Sequence, residues 1–179
     1  TTPWVMDAAR AFGNPNLHLA PMAILSFHPL KTITCSEGGM ILVKRKNDAD
    51  QLAEMVNQGV GNFRMTEMQA ALGISQLKRL DEFVGRRRQI AGHYLEAGLV
   101  PDLGPDCVWN VAPMYVSDPQ AAVGYFQDHE IDARLPKPLT RDSQKAKYVM
   151  LPLYPLLQDD DVWEIIKVAE GVKKKWPKP

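Results

Sequence analysis

The sequence is poor in cysteine and histidine, has no excess of either charge, and contains no long apolar run. Each shortage excludes a class of protein. The two cysteines, Cys35 and Cys107, lie far apart with no C-x-x-C or Cys/His pairing, so neither a disulfide framework nor a structural zinc site is expected. His18, His28, His93 and His129 are scattered, with no i, i+3 or i, i+4 partner among His or Cys, which argues against any metal centre. Lys and Arg number 21 and Asp and Glu number 21, so the net charge is zero and no basic field recruits nucleic acid. The basic runs Arg86–Arg88 and Lys173–Lys175 read as solvated helix surface. The longest apolar stretches, MAIL at 22–25 and MILV at 40–43, are far too short to span a bilayer, and no signal peptide opens the chain. A cytoplasmic protein that binds neither membrane nor nucleic acid is expected.

What the sequence does have is 179 residues, 45% of them hydrophobic, enough for one domain or for a domain with a small lobe. Residues 3–7 (PWVMD), 22–27 (MAILSF) and 39–43 (GMILV) are short apolar runs bounded by Pro, Gly or polar residues. That is the pattern of strands buried on both faces, so a largely parallel α/β sheet is predicted. A short helix capped by Asn47 or Asp48 runs to Gly59, and one long helix begins at the capping box Thr66-x-x-Gln69 and continues to about residue 97. Eight of the fourteen prolines then fall between Pro101 and Pro155, among strand-like pieces such as CVWNVAPMYV. The composition shift places a large domain at 1–97 and a smaller α+β lobe at 98–179. Asp118-Pro119 starts one helix of the lobe, and Asp159, with Val162, Trp163, Ile165, Ile166 and Ala169, builds the last.

Gly59-x-Gly61 follows no strand and lacks a third glycine, so it is a turn and not a dinucleotide fingerprint. The acidic run Asp159–Asp161 sits where a helix N-terminus favours carboxylates. The informative stretch is SFHPLKTITCSEGG at 26–39, which sets Lys31 in a Thr-rich, Gly-closed loop directly after a strand. Asp7 ends another strand in the same way, and ligands of open α/β sheets bind outside the carboxyl ends of strands. Lysine and aspartate facing one crevice have a chemical use. A lysine amine can form a Schiff base with pyridoxal phosphate while a carboxylate keeps the pyridinium nitrogen protonated, and Ser26 could contact the phosphate. On spacing alone the favoured reading is the simpler one, a surface lysine in a loop and an aspartate that caps the helix following the strand.

The segments MDAARAFG at 6–13, SFHPLKTITCSEGGM at 26–40 and GNFRMTEMQAALGISQLKRLDEF at 61–83 resemble the DegT/DnrJ/EryC1/StrS family of nucleotide-sugar aminotransferases, with a weaker echo in WNVAPMYV and LPLYP. The resemblance runs from about Thr2 to Val172 and implies part of a type I aminotransferase fold. It makes Lys31 the Schiff-base lysine and proton shuttle, Asp7 the pyridinium partner and Ser26 a phosphate ligand. Asn62 matches an asparagine that reaches the cofactor phosphate from the neighbouring subunit, which implies a homodimer with a shared active site. Arg64 and Glu67 belong to the same motif and are read as locking a loop and starting a helix. Where the family usually carries Gln or His, this chain has Arg10, which could contact the cofactor O3′ or phosphate. The family also has about as much sequence again before the position of Thr1, so an N-terminal portion is expected to be missing.

The wording around Lys31 is similar to the branch that aminates UDP-linked 4-keto-6-deoxy-hexosamines on the way to pseudaminic acid, and perosamine-type GDP-sugar aminotransferases share much of it. The reaction implied takes an amino group, typically from glutamate, onto the cofactor as pyridoxamine phosphate and delivers it to C4 of the keto-sugar for surface polysaccharide synthesis. The alternative is a truncated, non-catalytic relative that serves as a binding or structural partner. Relatives that dehydrate sugars replace the lysine, which Lys31 weighs against.

Overall fold

The computed structural model describes residues 4–59, 61, 63–136 and 147–179. Two compact units divide the chain: Thr1–Val84 with Pro105–Val108, and Gly85–Gly104 with Trp109–Pro179. In the first, β1 (Met6–Asp7) pairs in parallel with β2 (Met22–Ser26), in the register Met6↔Ala23 and Asp7↔Ile24. The connection between them carries a short 3-10 helix, Pro15–Leu19, started by Asn14, whose Oδ1 accepts from Asn16 N at 2.8 Å. Strand β2 then pairs antiparallel with β3 (Gly39–Val43), from Met22↔Val43 to Ser26↔Gly39.

The described sheet is therefore mixed, and its strands are less buried than their apolar runs predict. In β2, Ala23 and Leu25 turn into the core while Ile24 lies exposed on the other face. Among the described residues β3 pairs on one side only, and Met40, Ile41 and Leu42 are all exposed. An apolar run reports what a strand's side chains are, and an edge strand shows the same run as a central one.

The core beneath β2 has two parts. Ala8, Ala20, Ala23 and Leu25 pack with Met6, Ala11, Phe12 and Leu17, while Phe27, Ile33, Cys35 and Phe83 pack with Phe12, Met65 and Leu80. Phe12 belongs to both and meets Phe27 edge to face at 5.9 Å.

Helix α1 (Lys46–Gln58) is capped by neither Asn47 nor Asp48. Its N-cap is Arg45, whose guanidinium holds Asp48 through two 2.8 Å hydrogen bonds and so removes that carboxylate from capping. The predicted capping box at Thr66 is present: Gln69 N donates to Thr66 Oγ1 at 3.3 Å and Thr66 N to Gln69 Oε1 at 3.0 Å. The long helix expected from there is in fact two, α2 (Glu67–Leu77) and α3 (Leu80–Glu96). No Gly or Pro marks the break. The last turn of α2 tightens as Arg79 N donates to Gln76 O at 3.0 Å, and the Arg79 side chain turns forward onto Glu82 at 2.8 Å and over the Phe83 ring at 4.7 Å. Tertiary packing of Leu80 and Phe83 into the core overrides the continuous helical periodicity.

The second unit begins inside α3. It holds an antiparallel pair, β4 (Ala112–Tyr115) and β5 (Tyr148–Leu151), with α4 (Pro119–Gln127) and α5 (Asp159–Lys175). Asp118 caps α4 by accepting from Ala121 N at 3.1 Å, and α5 carries Asp159–Asp161 in its first turn and Lys173–Lys175 in its last, matching the helix dipole at both ends. Tyr94, Phe126, Met114, Val149, Val162 and Val172 form a fully buried centre. Trp163, expected among the apolar side chains of α5, is half exposed and lies 4.9 Å from the His93 ring. Arg87 is also buried, and among the described residues no carboxylate pairs with it: its Nη1 donates to the carbonyls of Leu153 at 2.6 Å, Trp109 at 3.4 Å and Asn110 at 3.5 Å. Among the described residues no helix is long and apolar enough to cross a membrane, and no group of three or more His, Cys, Asp or Glu is placed to hold a metal.

One close approach in the first unit is directly testable. A Cβ on Gly73 of α2 would stand 2.6 Å from the buried Cys35 Sγ, below any tolerable contact. Gly73→Ala should destabilise the chain by about 1–3 kcal/mol, as overpacking does. Adding Cys35→Ala should recover part of that loss, read as a double-mutant cycle of urea midpoints. Additive losses would show that the two side chains do not compete for the same space.

Candidate functional site

The candidate site is built at the carboxyl ends of β1 and β2. Because Asp7 and Ile24 are register partners on parallel strands, the turn after β1 and the loop after β2 leave the sheet at the same end. Asp7 is exposed there, and its Oδ1 accepts from Ala9 N at 3.0 Å, which ties the carboxylate to the turn that carries Arg10. The turn closes as Ala11 N donates to Ala8 O at 2.9 Å.

Ser26 is the last residue of β2, half-buried, and its Oγ accepts weakly from His28 N at 3.4 Å. The chain then folds into a closed loop. Lys31 N donates to His28 O at 2.9 Å, and the His28 ring accepts from Leu30 N at 3.2 Å. Thr34 Oγ1 donates to Phe27 O at 3.0 Å and accepts from Ser36 N at 2.9 Å. Cys35 N donates to the same Phe27 carbonyl at 3.0 Å, and Phe27 N donates to Gly38 O at 2.9 Å. Gly38 sits at φ 130°, a conformation that favours glycine, with Met65 Cε 3.1 Å from where a Cβ would project. Gln69 Nε2 reaches the Glu37 carbonyl at 3.4 Å, so the capping box of α2 also steadies the loop's far end.

Within this loop Lys31 is half-buried between the exposed Leu30 and the buried Thr32. Burial depresses the basicity of its amine, Arg10 depresses it further by charge repulsion, and Asp7 opposes both by attraction. Asp7, Arg10 and Lys31 thus share one electrostatic neighbourhood, with Ser26 at the end of the strand that feeds the loop. Asn62 lies outside the described residues. Burial also pushes the Cys35 thiol up, which makes that cysteine a packing residue and not a nucleophile.

Sequence reasoning overlooked Thr34, although the pattern Thr34-x-Ser36 is the signature of a side-chain-closed turn. It also overlooked Thr32, whose buried Oγ1 has no hydrogen-bond partner among the described residues; no sequence signal separates it from its neighbours. The set present, an amine of lowered basicity, a carboxylate and a half-buried hydroxyl at the end of a strand, is the donor chemistry that suits an aldehyde cofactor carrying a ring nitrogen and a phosphate.

Comparison with known proteins bears on the same region. The model of the DegT/DnrJ/EryC1/StrS aminotransferase family matches residues 3–99. Over 107 residues the chain is 33% identical to GDP-perosamine synthase of Escherichia coli O157:H7, a match that takes in 50% of this chain and 29% of that protein. The structure of Helicobacter pylori PseC, an aminotransferase involved in the biosynthesis of pseudoaminic acid, superposes with a TM-score of 0.83 at 19% identity, over 96% of this chain and 59% of that one. Spr1654 of Streptococcus pneumoniae in its PMP form gives 0.80 at 19% identity, over 96% of this chain and 57% of that one. The chain therefore spans a little over half the length of these solved relatives and carries part of a type I aminotransferase fold.

Thr34→Val should remove both side-chain hydrogen bonds that close the Lys31 loop, at a local cost of about 1–3 kcal/mol. Amide exchange at Cys35 and Ser36 should accelerate while that of α5 stays constant; unchanged protection of those two amides would show that the loop is held by other contacts.

Proposed function

The chain belongs to the DegT/DnrJ/EryC1/StrS aminotransferase family, a pyridoxal phosphate-dependent family, and from that membership we propose that it contributes the catalytic lysine and half of the cofactor cradle of a nucleotide-sugar aminotransferase. The observation that carries this reading is the half-buried Lys31 at the carboxyl end of the sheet, its amine made less basic by burial and by Arg10. A lysine at its ordinary basicity is almost wholly protonated near neutral pH, and only the free amine attacks a carbonyl.

On this reading Lys31 attaches the cofactor through Nζ and, once released, moves the proton lost by the amino donor. The Asp7 carboxylate holds the ring nitrogen protonated. Ser26 and Arg10 bind the phosphate or ring oxygen from this chain, and Asn62 binds the phosphate of the partner's site in a homodimer. Bound pyridoxal phosphate supplies the electron sink that lets an amino group pass from an amino acid, glutamate by preference, to a keto-sugar. The substrate is a 4-keto-6-deoxy nucleotide sugar, a reading supported by the likeness to a GDP-perosamine synthase and to PseC. On this reading residues 1–97 form the large cofactor-binding domain and 98–179 the small one, with all of α3 counted in the large domain although the compact units divide within it, after Val84.

Borohydride reduction with pyridoxal phosphate, followed by peptide mass spectrometry, should place a single phosphopyridoxyl mass on Lys31. Lys31→Ala should lose that mass and lower transamination on the order of a thousandfold or more in the full-length protein. A label that persists elsewhere with activity intact would overturn the assignment. Asn62→Ala should weaken cofactor retention in the dimer, measured by dialysis against buffer and the remaining visible absorbance. Equal retention in a confirmed dimer would remove Asn62 from the site.

A further inference from the structure

The loop that carries Lys31 closes at its stem on Phe27, and its second half, residues 35–38, also lies along a helix. Three contacts form a row. A Cβ at Gly38 would stand 3.1 Å from Met65 Cε, Gln69 Nε2 donates to Glu37 O at 3.4 Å, and a Cβ at Gly73 would stand 2.6 Å from Cys35 Sγ. Gln69 and Gly73 are four residues apart on α2, which places them on one face, and Met65 extends the row from just ahead of the Thr66 cap. Along this row the loop partners run in reverse order, Gly38, then Glu37, then Cys35. Helix and loop are thus laid side by side, and the middle contact is the polar one.

The chemistry of Gln69 suits that middle place. Its Oε1 accepts from Thr66 N at 3.0 Å and from Thr66 Oγ1 at 3.1 Å, while its Nε2 faces a carbonyl, so donors on one side and an acceptor on the other fix the orientation of the amide. Capping alone does not require glutamine. Glutamate closes the same capping box, and its charge suits a helix N-terminus, but an ionised carboxylate has no N–H to give to Glu37 O. From Glu37 the tie passes along bonded neighbours. Gly38 O accepts from Phe27 N at 2.9 Å, Phe27 O holds Thr34 Oγ1 and Cys35 N at 3.0 Å each, and Lys31 N closes on the O of the next residue, His28, at 2.9 Å.

We propose that Gln69 is a positioning residue for Lys31: α2 splints the second half of the loop, and the Gln69 amide sets the register between helix and loop backbone from which Lys31 attaches the cofactor. The inference rests on the reading of Lys31 as the cofactor-attaching residue. A reacting group must be held within a fraction of an ångström of its productive place, and a loop takes that precision from the rigid element it packs against. At 3.4 Å the bond is a weak one, so its effect is to register two surfaces that Met65 and Gly73 already bring together.

Two variants of the full-length protein separate the tie from the cap. Gln69→Glu keeps an acceptor for Thr66 N and removes the donor to Glu37 O, whereas Thr66→Ala removes the capping hydroxyl and leaves that donor in place. Amide exchange is read in the cofactor-free protein, at raised ionic strength to screen the new carboxylate. Gln69→Glu should speed exchange at Phe27 and Cys35 about two- to fivefold, the lower range for one net hydrogen bond, and should raise the pyridoxal phosphate concentration that half-fills the site by a similar factor. Its urea midpoint should stay near native, and weaker cofactor binding at an unmoved midpoint is a pattern that a merely structural role does not give. Thr66→Ala should lower the urea midpoint and leave exchange at Phe27 and Cys35 at its native rate. Native exchange at those two amides in Gln69→Glu overturns the proposal, as does equal acceleration in Thr66→Ala, which would make helix capping responsible. A loosened loop with unchanged cofactor binding overturns the positioning of Lys31. Failure of the underlying reading shows separately, as absence of the phosphopyridoxyl mass from Lys31 in the native protein, on which the exchange rates do not depend.

Discussion

The arrangement of the site depends on the backbone of one residue, Phe27. Its carbonyl receives both Cys35 N and Thr34 Oγ1, each at 3.0 Å, and its N–H reaches Gly38 O at 2.9 Å. Three hydrogen bonds therefore close the loop on the residue that follows β2. The side chain of Phe27 is buried against Phe12, Ile33 and Cys35, so the point of closure is also a point of core packing. A functional loop hung from a rigid element in this way keeps its geometry with little secondary structure of its own. Lys31 is thus held by a closed ring of backbone contacts whose anchor is the core.

Rigidity of this kind is what makes the electrostatics of the site meaningful. A charged side chain on a mobile loop averages its surroundings, and its protonation stays near that of free lysine. Here the turn with Asp7 and Arg10 is bonded to itself, the loop with Lys31 is bonded to Phe27, and the two leave neighbouring parallel strands in fixed register. Charge placement then becomes a property of the fold, set by which residues occupy the first turns after β1 and β2.

Much of this was legible in the sequence where chemistry and local hydrogen bonding decide the structure. The strand–loop units ending at Asp7 and Ser26, the capping box at Thr66 and the helix started by Asp118-Pro119 follow from residue types and spacing alone. The break between α2 and α3 was not legible, because Lys78 and Arg79 are good helix formers and only the packing of Leu80 and Phe83 shows why the chain turns. Nor was the exposure of β3, since Met40, Ile41 and Leu42 are apolar whether or not another layer covers them. Arg45 took Asp48 away from its expected capping role through a side-chain pair that propensity does not describe. In the site, the motif pointed to Lys31 and Asp7, whereas the loop-closing role of Thr34 emerges from its two bonds.

Arg87, which is buried, and Lys31, which is half-buried, show how burial acts differently on two kinds of cation. Burial lowers Arg87 only to about 10, so its guanidinium stays charged near neutral pH, and it spends that charge on the carbonyls of Leu153, Trp109 and Asn110. Because its basicity in the folded chain lies below that of free arginine, the buried charge opposes folding at neutral pH, and that penalty fades only as the pH rises through about 10 toward the ordinary arginine value. The three carbonyls offset it, which makes Arg87 a tie between the segment after β5 and the segment before β4. Lysine starts from a lower basicity, and at the half-buried Lys31 burial and the charge of Arg10 lower it further. The same physical cost of burying a cation therefore accompanies a structural cross-link at Arg87 and a lowered amine basicity at Lys31, and the difference lies in the functional group and in the charges that each turn places beside it.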